Sequence, residues 1–318
     1  MLQNELIVDS SCSVERSFEI LGGAWTFLVL REALLDNVVQ FDSFQSNLGI
    51  ARESLKRVLK RLVRHGVMEH RPLNEGGRRK GYFLTEQGRD LLPALVAALN
   101  WGQDWSDKEP TGERLVHTNC GQPLKKAVVC SECHQVVDPR DVRFESRIRT
   151  RSKGRERFAK MRYVEQALLE RQRPCSIART MATIGDPWSF LIIRECFYGV
   201  RRFDIFQRRL SIASNILAAR LKRFVAAGIL KTRPVPDQPH LSEYRMTEKG
   251  MALYAIPLAI IAWGDKWLAD DKGPPLILTH KSCGHTFSAK LFCQTCKTEV
   301  DIDQVTYRPS SRSDCERT

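Results

Sequence analysis

The chain has 318 residues, fifty of them Lys or Arg against thirty-seven Asp or Glu, giving a formal net charge of +13. With 42% hydrophobic and 27% charged residues it is neither a fibrous repeat nor a disordered polyelectrolyte, and its length suits two or three domains. The positive excess favours a polyanionic partner. The longest apolar candidate, Met251 to Trp263, is too short to span a bilayer, so double-stranded DNA is preferred to a membrane. The acidic N-terminal segment Met1 to Asp9 does not resemble a secretion signal, so a cytoplasmic location is expected. Reduced cysteines then serve as metal ligands, thiol sensors or small buried side chains rather than as disulfides.

The sequence is written twice. Cys12 and Trp25 recur as Cys175 and Trp188, an offset of 163. The offset is 162 from Phe41 and Phe203 through Trp101 and Trp263, and 163 again from His117 and His280 onward. Each copy holds a larger unit followed by a small Cys/His unit. The expected order is a first winged helix-turn-helix domain (residues 12–106), a zinc-ribbon-like module (113–142), a basic linker (143–174), a second winged domain (175–269), a second ribbon module (276–307) and a disordered tail (308–318). The linker has nine basic and two acidic residues between Arg143 and Tyr163 and reads as a solvated tether, helical toward Val164 to Leu169. The fold class is mainly α with small β-hairpins.

In the first copy Val14, Phe18 and Leu21 share one helical face, and Gly22-Gly23 separate that helix from the apolar stretch Trp25 to Leu35. A short helix from Phe41 to Leu48, a tight turn at Gly49-Ile50 and a helix from Ala51 to His65 make a helix-turn-helix. Leu55, Leu59 and Leu62 face inward there, which leaves Glu53, Lys56, Arg57, Lys60 and Arg64 on the outer face. Arg52, Glu53, Ser54, Lys56, Arg57 and Lys60 are candidate DNA contacts, because long donors reach guanine edges and phosphates in the major groove. Two strands, Val67 to Arg71 and Gly81 to Leu84, flank a basic loop. Arg78, Arg79 and Lys80 at its end suit phosphates or the adjacent minor groove. The helix from Leu91 to Trp105 and its counterpart are apolar enough to pair repeat with repeat or chain with chain.

These residues resemble the HxlR-type winged helix-turn-helix transcriptional regulators, over about residues 12–105 and 175–267. The resemblance rests on the Cys before the first helix, Leu21-Gly-Gly-Ala-Trp-Thr, Arg31-Glu32, Phe41-Asp-Ser-Phe-Gln and Tyr82 to Gly88. It implies a sequence-specific DNA-binding bacterial regulator, and members that bind palindromic operators as homodimers. Two departures stand out: Val58 replaces an Arg that the second copy keeps as Arg220, and Ile184-Gly-Asp-Pro-Trp lacks the second Gly.

The copies are unequal. Lys56, Arg57 and Arg64 align with Ala218, Ala219 and Ala226, and only Lys60 keeps its charge, as Lys222. The wing from Pro234 to Ser242 lacks a basic triplet. The first domain should therefore supply most of the phosphate-driven affinity. The second either reads bases through Ser214, Asn215, Ala218 and Lys222 or serves only as a pairing partner.

His117-x2-Cys120 with Cys130-x2-Cys133, and His280-x2-Cys283 with Cys293-x2-Cys296, have zinc-ribbon spacing, each module supplying four ligands for a structural zinc. A redox role is the alternative for these pairs. Cys12 and Cys175 occupy the position where some HxlR-type members carry a thiol sensor. No G-x-x-x-x-G-K, G-x-S-x-G or H-E-x-x-H motif occurs, so no enzyme is expected. The rival reading is a zinc-stabilised interaction protein, or one that senses a small molecule or redox state, in which the second domain dimerises without touching DNA.

Overall fold

The computed structural model describes residues 13–109, 111–146, 163–235, 238–269 and 273–308. The first repeat runs α1 (Ser13–Leu21), α2 (Ala24–Leu35), α3 (Phe41–Leu48), α4 (Arg52–Arg64), the hairpin β1 (Met68–Pro72) and β2 (Lys80–Leu84), α5 (Glu86–Arg89) and α6 (Leu92–Trp105). Strands β3 (Arg114–His117), β4 (Val128–Cys130) and β5 (Val142–Ser146) follow, then the short α7 (Gln166–Leu169). The second repeat repeats the order: α8 (Ser176–Ile184), α9 (Pro187–Phe197), α10 (Phe203–Leu210), α11 (Ser214–Ala226), β6 (Leu230–Val235), β7 (Gln238–Met246), α12 (Glu248–Met251) and α13 (Ala255–Trp267). It closes with β8 (Leu276–His280), β9 (Ala289–Cys293), β10 (Thr298–Glu299) and β11 (Val305–Arg308).

Apolar spacing accounts for the helices. Val14, Phe18 and Leu21 bury one face of α1, and Leu55, Val58, Leu59 and Leu62 bury one face of α4. Each wing hairpin leads into a short helix capped by a threonine: Thr85 and Thr247 accept from Gly88 N and Gly250 N, both at 3.2 Å.

The repeats share one hydrophobic core rather than forming two beads on a string. Helix α6 packs on α8 and α13, and α1 packs on α13. Phe18 and Phe190 meet across the pairing with ring centroids 4.2 Å apart. Two tryptophans tie the repeats reciprocally: Trp101 Nε1 donates to Lys249 O at 3.0 Å, and Trp263 Nε1 to Gln87 O at 2.7 Å. Gly102 lets α6 approach α8, since a Cβ there would stand 2.0 Å from the carbonyl oxygen of Ser176.

The Cys/His segments depart from the expected separate modules. Strand β3 pairs with β11, β4 with β9 and β5 with β8, so all three of these antiparallel ladders join one repeat to the other. The linker is also shorter than its charge suggests. Residues 143–146 belong to β5, where the Phe144 ring packs at a tilt against Tyr198, centroids 4.7 Å apart. Toward the other end Leu169 is buried, and Arg173 pairs with Glu32 of α2 and with Asp36 just after it. Apolar alternation in β5 and the acidic partners of Arg173, of which Glu32 is buried, outweigh the solvation that a basic run favours. Residues 147–162 of the linker, Cys12 and residues 309–318 of the tail lie outside the described residues.

Candidate nucleic-acid interface and metal clusters

The outer face of α4 presents Arg52, Glu53, Lys56, Arg57, Lys60 and Arg64 to solvent, with Ser54 half-buried between them. Local contacts hold these long side chains in place. Lys56 Nζ lies 2.7 Å from Glu53 Oε1, Arg57 donates to Ser54 Oγ at 3.2 Å, and the Arg52 guanidinium stacks 4.7 Å above the Phe41 ring. Lys56 lowers the carboxyl pKa of Glu53. In the wing, Arg78, Arg79 and Lys80 are exposed, and Arg71 lies 3.8 Å over Phe83. Arg61 belongs to the same helix but points inward and donates to Thr26 Oγ1 at 2.8 Å.

In α11 Ser214, Asn215, Ala218, Ala219, Lys222 and Ala226 are exposed. Asn215 Oδ1 accepts from Ile216 N at 2.9 Å, and the residue is exposed. Arg220 and Arg223 are engaged with Asp186, at 3.2 and 3.3 Å, and Arg223 also stacks on Tyr163 at 4.0 Å. The two departures noted in the sequence are thus one change: Asp186 caps α9 by accepting from Ser189 N at 3.1 Å, and Arg220 neutralises it. The first repeat has Gly23 and buried Val58 in those places.

One signal escaped the sequence reading. Arg201, Arg202 and Arg208, at and before α10, are exposed where the first repeat has Val39, Gln40 and Ser46. The second repeat therefore carries exposed positive charge at and before α10, a placement visible only once the two helix-turn-helix units are aligned position by position.

All eight Cys/His positions come together, but across the repeats. His117 and Cys120 gather with Cys293 and Cys296, and Cys130 and Cys133 with His280 and Cys283, the ligand atoms of each cluster lying within 4.8 Å of one another. This corrects the expectation that each module closes its own site. The cause is strand pairing: the β4–β9 register sets Cys130 opposite Ala289, just beyond the His280/Cys283 knuckle. All four knuckles use the same turn. The residue after the second ligand is left-handed, at φ 71 for Gly121, 57 for His134, 77 for Gly284 and 59 for Lys297, and its N–H returns to the carbonyl of the first ligand.

Cys120 Sγ lies 3.5 Å from His117 Nδ1 and 3.6 Å from Cys293 Sγ, and Cys296 Sγ lies 3.2 Å from His117 Nδ1. In the other cluster Cys133 and Cys283 lie 3.3 and 3.6 Å from His280 Nδ1. Tetrahedral zinc with bonds of about 2.3 Å to sulfur and about 2.0 Å to nitrogen needs ligand–ligand edges of roughly 3.5–3.8 Å. Both clusters can therefore hold such an ion with little rearrangement. Burial pushes the Cys130 thiol up to about 11, while the backbone N–H of His285 leads the contacts that bring Cys283 down to about 6.

Cys175, the second candidate thiol sensor, is wholly buried at the start of α8, where its sulfur accepts from Arg31 Nη1 at 2.7 Å. Burial raises its pKa, and Arg31 works against that rise. Arg31 also pairs with buried Glu32, which accepts from Asn47 at 2.7 Å and from Arg173 at 2.8 Å. Arg194, Glu195 and Arg209 build the matching network in the second repeat.

The sequence profile of the HxlR-like helix-turn-helix family matches this chain twice, over residues 20–110 and 183–272. An uncharacterized HTH-type transcriptional regulator of Mycobacterium tuberculosis is 37% identical over 134 residues, covering 42% of this chain and 85% of that protein. A regulator from Mycobacterium bovis matches to the same extent. The HTH-type transcriptional regulator YodB of Bacillus subtilis is 34% identical over 85 residues, 26% of this chain and 76% of that protein. Among the described residues no helix is long and apolar enough to cross a membrane.

Proposed function

The chain belongs to the HxlR-like helix-turn-helix family, and from that premise we propose that it is a transcriptional regulator that reads an asymmetric operator with its two unequal halves. The observation that carries this reading is the contrast between the outer faces of α4 and α11. Lys56, Arg57 and Arg64 are exposed on the first, and Ala218, Ala219 and Ala226 on the second. The basic face and the Arg78 to Lys80 wing suit phosphates and guanine edges, so the first half provides most of the affinity. The second half grips the backbone with Arg201, Arg202 and Arg208, and reads bases with exposed Asn215, an amide that suits adenine, and with alanines that suit thymine methyls. Its share of exposed charge favours this over the reading in which it only pairs. The two clusters hold structural zinc, each ion bridging the repeats and fixing the pairing that sets the half-site spacing.

DNA fragments selected by the full chain, followed by anisotropy titrations across salt concentrations, test the proposal. Lys56→Ala/Arg57→Ala is expected to weaken binding 10–100-fold and to reduce the magnitude of the salt slope by about 2. Asn215→Ala is expected to relax sequence preference with the slope unchanged. Equal losses of slope from both variants, or binding that ignores salt, contradict it.

A further inference from the structure

The two metal clusters contain the same ligand types but have unequal supports, and we infer that they bind metal unequally. The cluster of Cys130, Cys133, His280 and Cys283 is the tight centre, and the cluster of His117, Cys120, Cys293 and Cys296 is the labile one. The inference rests on the reading that both hold zinc.

Both imidazoles turn Nδ1 toward the thiols, so Nε2 carries the ring proton outward when the metal is bound. His280 Nε2 lies 3.3 Å from Asp141 Oδ2. That carboxylate is held in turn by Ser282 Oγ. His117 Nε2 is buried and has no hydrogen-bond partner. A carboxylate on the far nitrogen fixes the tautomer and the ring orientation and makes the ligating nitrogen more basic, and such partners are worth about 10–100-fold in metal affinity. A buried N–H without an acceptor works against the ring in the other cluster.

The difference in hydrogen bonding traces to one position. Val142 opens β5 and Val305 opens β11, so the residue before each corresponds, Asp141 in one half and Gln304 in the other. Their backbones play the same part: Lys281 N donates to Asp141 O, and Thr118 N to Gln304 O, both at 2.9 Å. The side chains do not. Gln304 Oε1 folds back to accept from Asp301 N at 3.1 Å, which leaves His117 without support. Two further side-chain contacts fall on sulfur: Thr298 Oγ1 lies 3.1 Å from Cys296 Sγ in the labile cluster, and His285 neighbours Cys283 in the tight one. Neither contact orients an imidazole. Because each cluster takes two ligands from each repeat, metal depletion opens one of the two ties between repeats while the other stays closed.

The test is an equilibrium competition between the full chain, loaded with two equivalents of zinc, and a chromophoric chelator. Two steps are expected, about 10–100-fold apart in chelator concentration. Cys296→Ser should retain only the tight step, and Cys133→Ser only the labile one. Asp141→Asn is expected to bring the tight step down to the labile one, and Gln304→Asp to raise the labile step toward the tight one. Circular dichroism establishes that each variant is folded, and Gln304→Asp carries the test alone if Asp141→Asn is not. Release of both ions in one step, or two steps that neither exchange moves, overturns the inequality. A chain that takes up no zinc overturns the metal reading itself, and with it this inference.

Discussion

The inner surfaces of the two repeats match, whereas their outer surfaces do not. Inside, Trp101 and Trp263 make reciprocal hydrogen bonds, and Gly102 and Gly264 both sit where a helix of the other repeat comes close. Outside, three cationic positions of α4 are alanines in α11, and three cations before and on α10 stand where the first repeat is uncharged. A pairing surface formed by two related halves is self-complementary, so each position is used twice and a change in one half must suit the other. Solvent-facing positions carry no such constraint. One chain can therefore keep the geometry of a symmetric dimer while presenting two different outer faces.

The largest effect expected is at the inner surface. Gly102→Ala places a Cβ 2.0 Å from a backbone carbonyl oxygen, which cannot rotate away. Overpacking of this kind costs about 3 kcal/mol, set against a gain of about 1 kcal/mol in helix propensity. At Gly264 the nearest atom is the side-chain oxygen of Ser17, at 2.7 Å, which can move. Urea denaturation should therefore show a larger loss of stability for Gly102→Ala than for Gly264→Ala. Equal, near-zero losses would mean that the helices are less tightly apposed than the shared core implies.

Next in size is the exchange between Gly23 with Val58 and Asp186 with Arg220. Asp186→Gly removes a helix cap and leaves Arg220 and Arg223 half-buried without their carboxylate, a loss of about 2 kcal/mol. Arg220→Val added to it recreates the arrangement of the first repeat and should cost less than the two single changes combined, with a coupling of about 1 kcal/mol. Strict additivity in urea denaturation would separate the two positions.

Much of this was legible in the sequence. Helical spacing located α1 to α4, and the duplication itself fixed the equivalence of the halves. The His-x2-Cys and Cys-x2-Cys spacing identified every cluster ligand. What spacing cannot give is which knuckle meets which, because a ligand pair nine residues away in the chain and one in the other repeat are alike as sequence. The β4–β9 ladder decides that. Arg61 and Arg223 were equally opaque: on a helical wheel they flank the basic face, but a carbonyl in the last turn of the first helix of each repeat, Leu21 O or Thr183 O, and a hydroxyl in the first turn of the second, Thr26 or Ser189, turn them inward.

The smallest effect sharpens an inner position where the halves differ in charge. Asp265 follows Gly264 as Gln103 follows Gly102, and it accepts from Ser13 Oγ across the pairing. Burial raises its pKa from 3.8 to about 6, against the pull of Ser13 and Arg16. A carboxyl whose pKa is higher in the folded state disfavours folding while it is ionised. The penalty is therefore full above about pH 6 and fades as the pH falls toward 4. Two pKa units correspond to about 3 kcal/mol, and partial exposure and the Ser13 bond reduce this to about 1 kcal/mol. Asp265→Asn is expected to raise stability by that amount at pH 7.5 and to change little at pH 4.5. A variant less stable than the parent at both values would show instead that the ionised carboxylate is itself part of what holds α1 against α13.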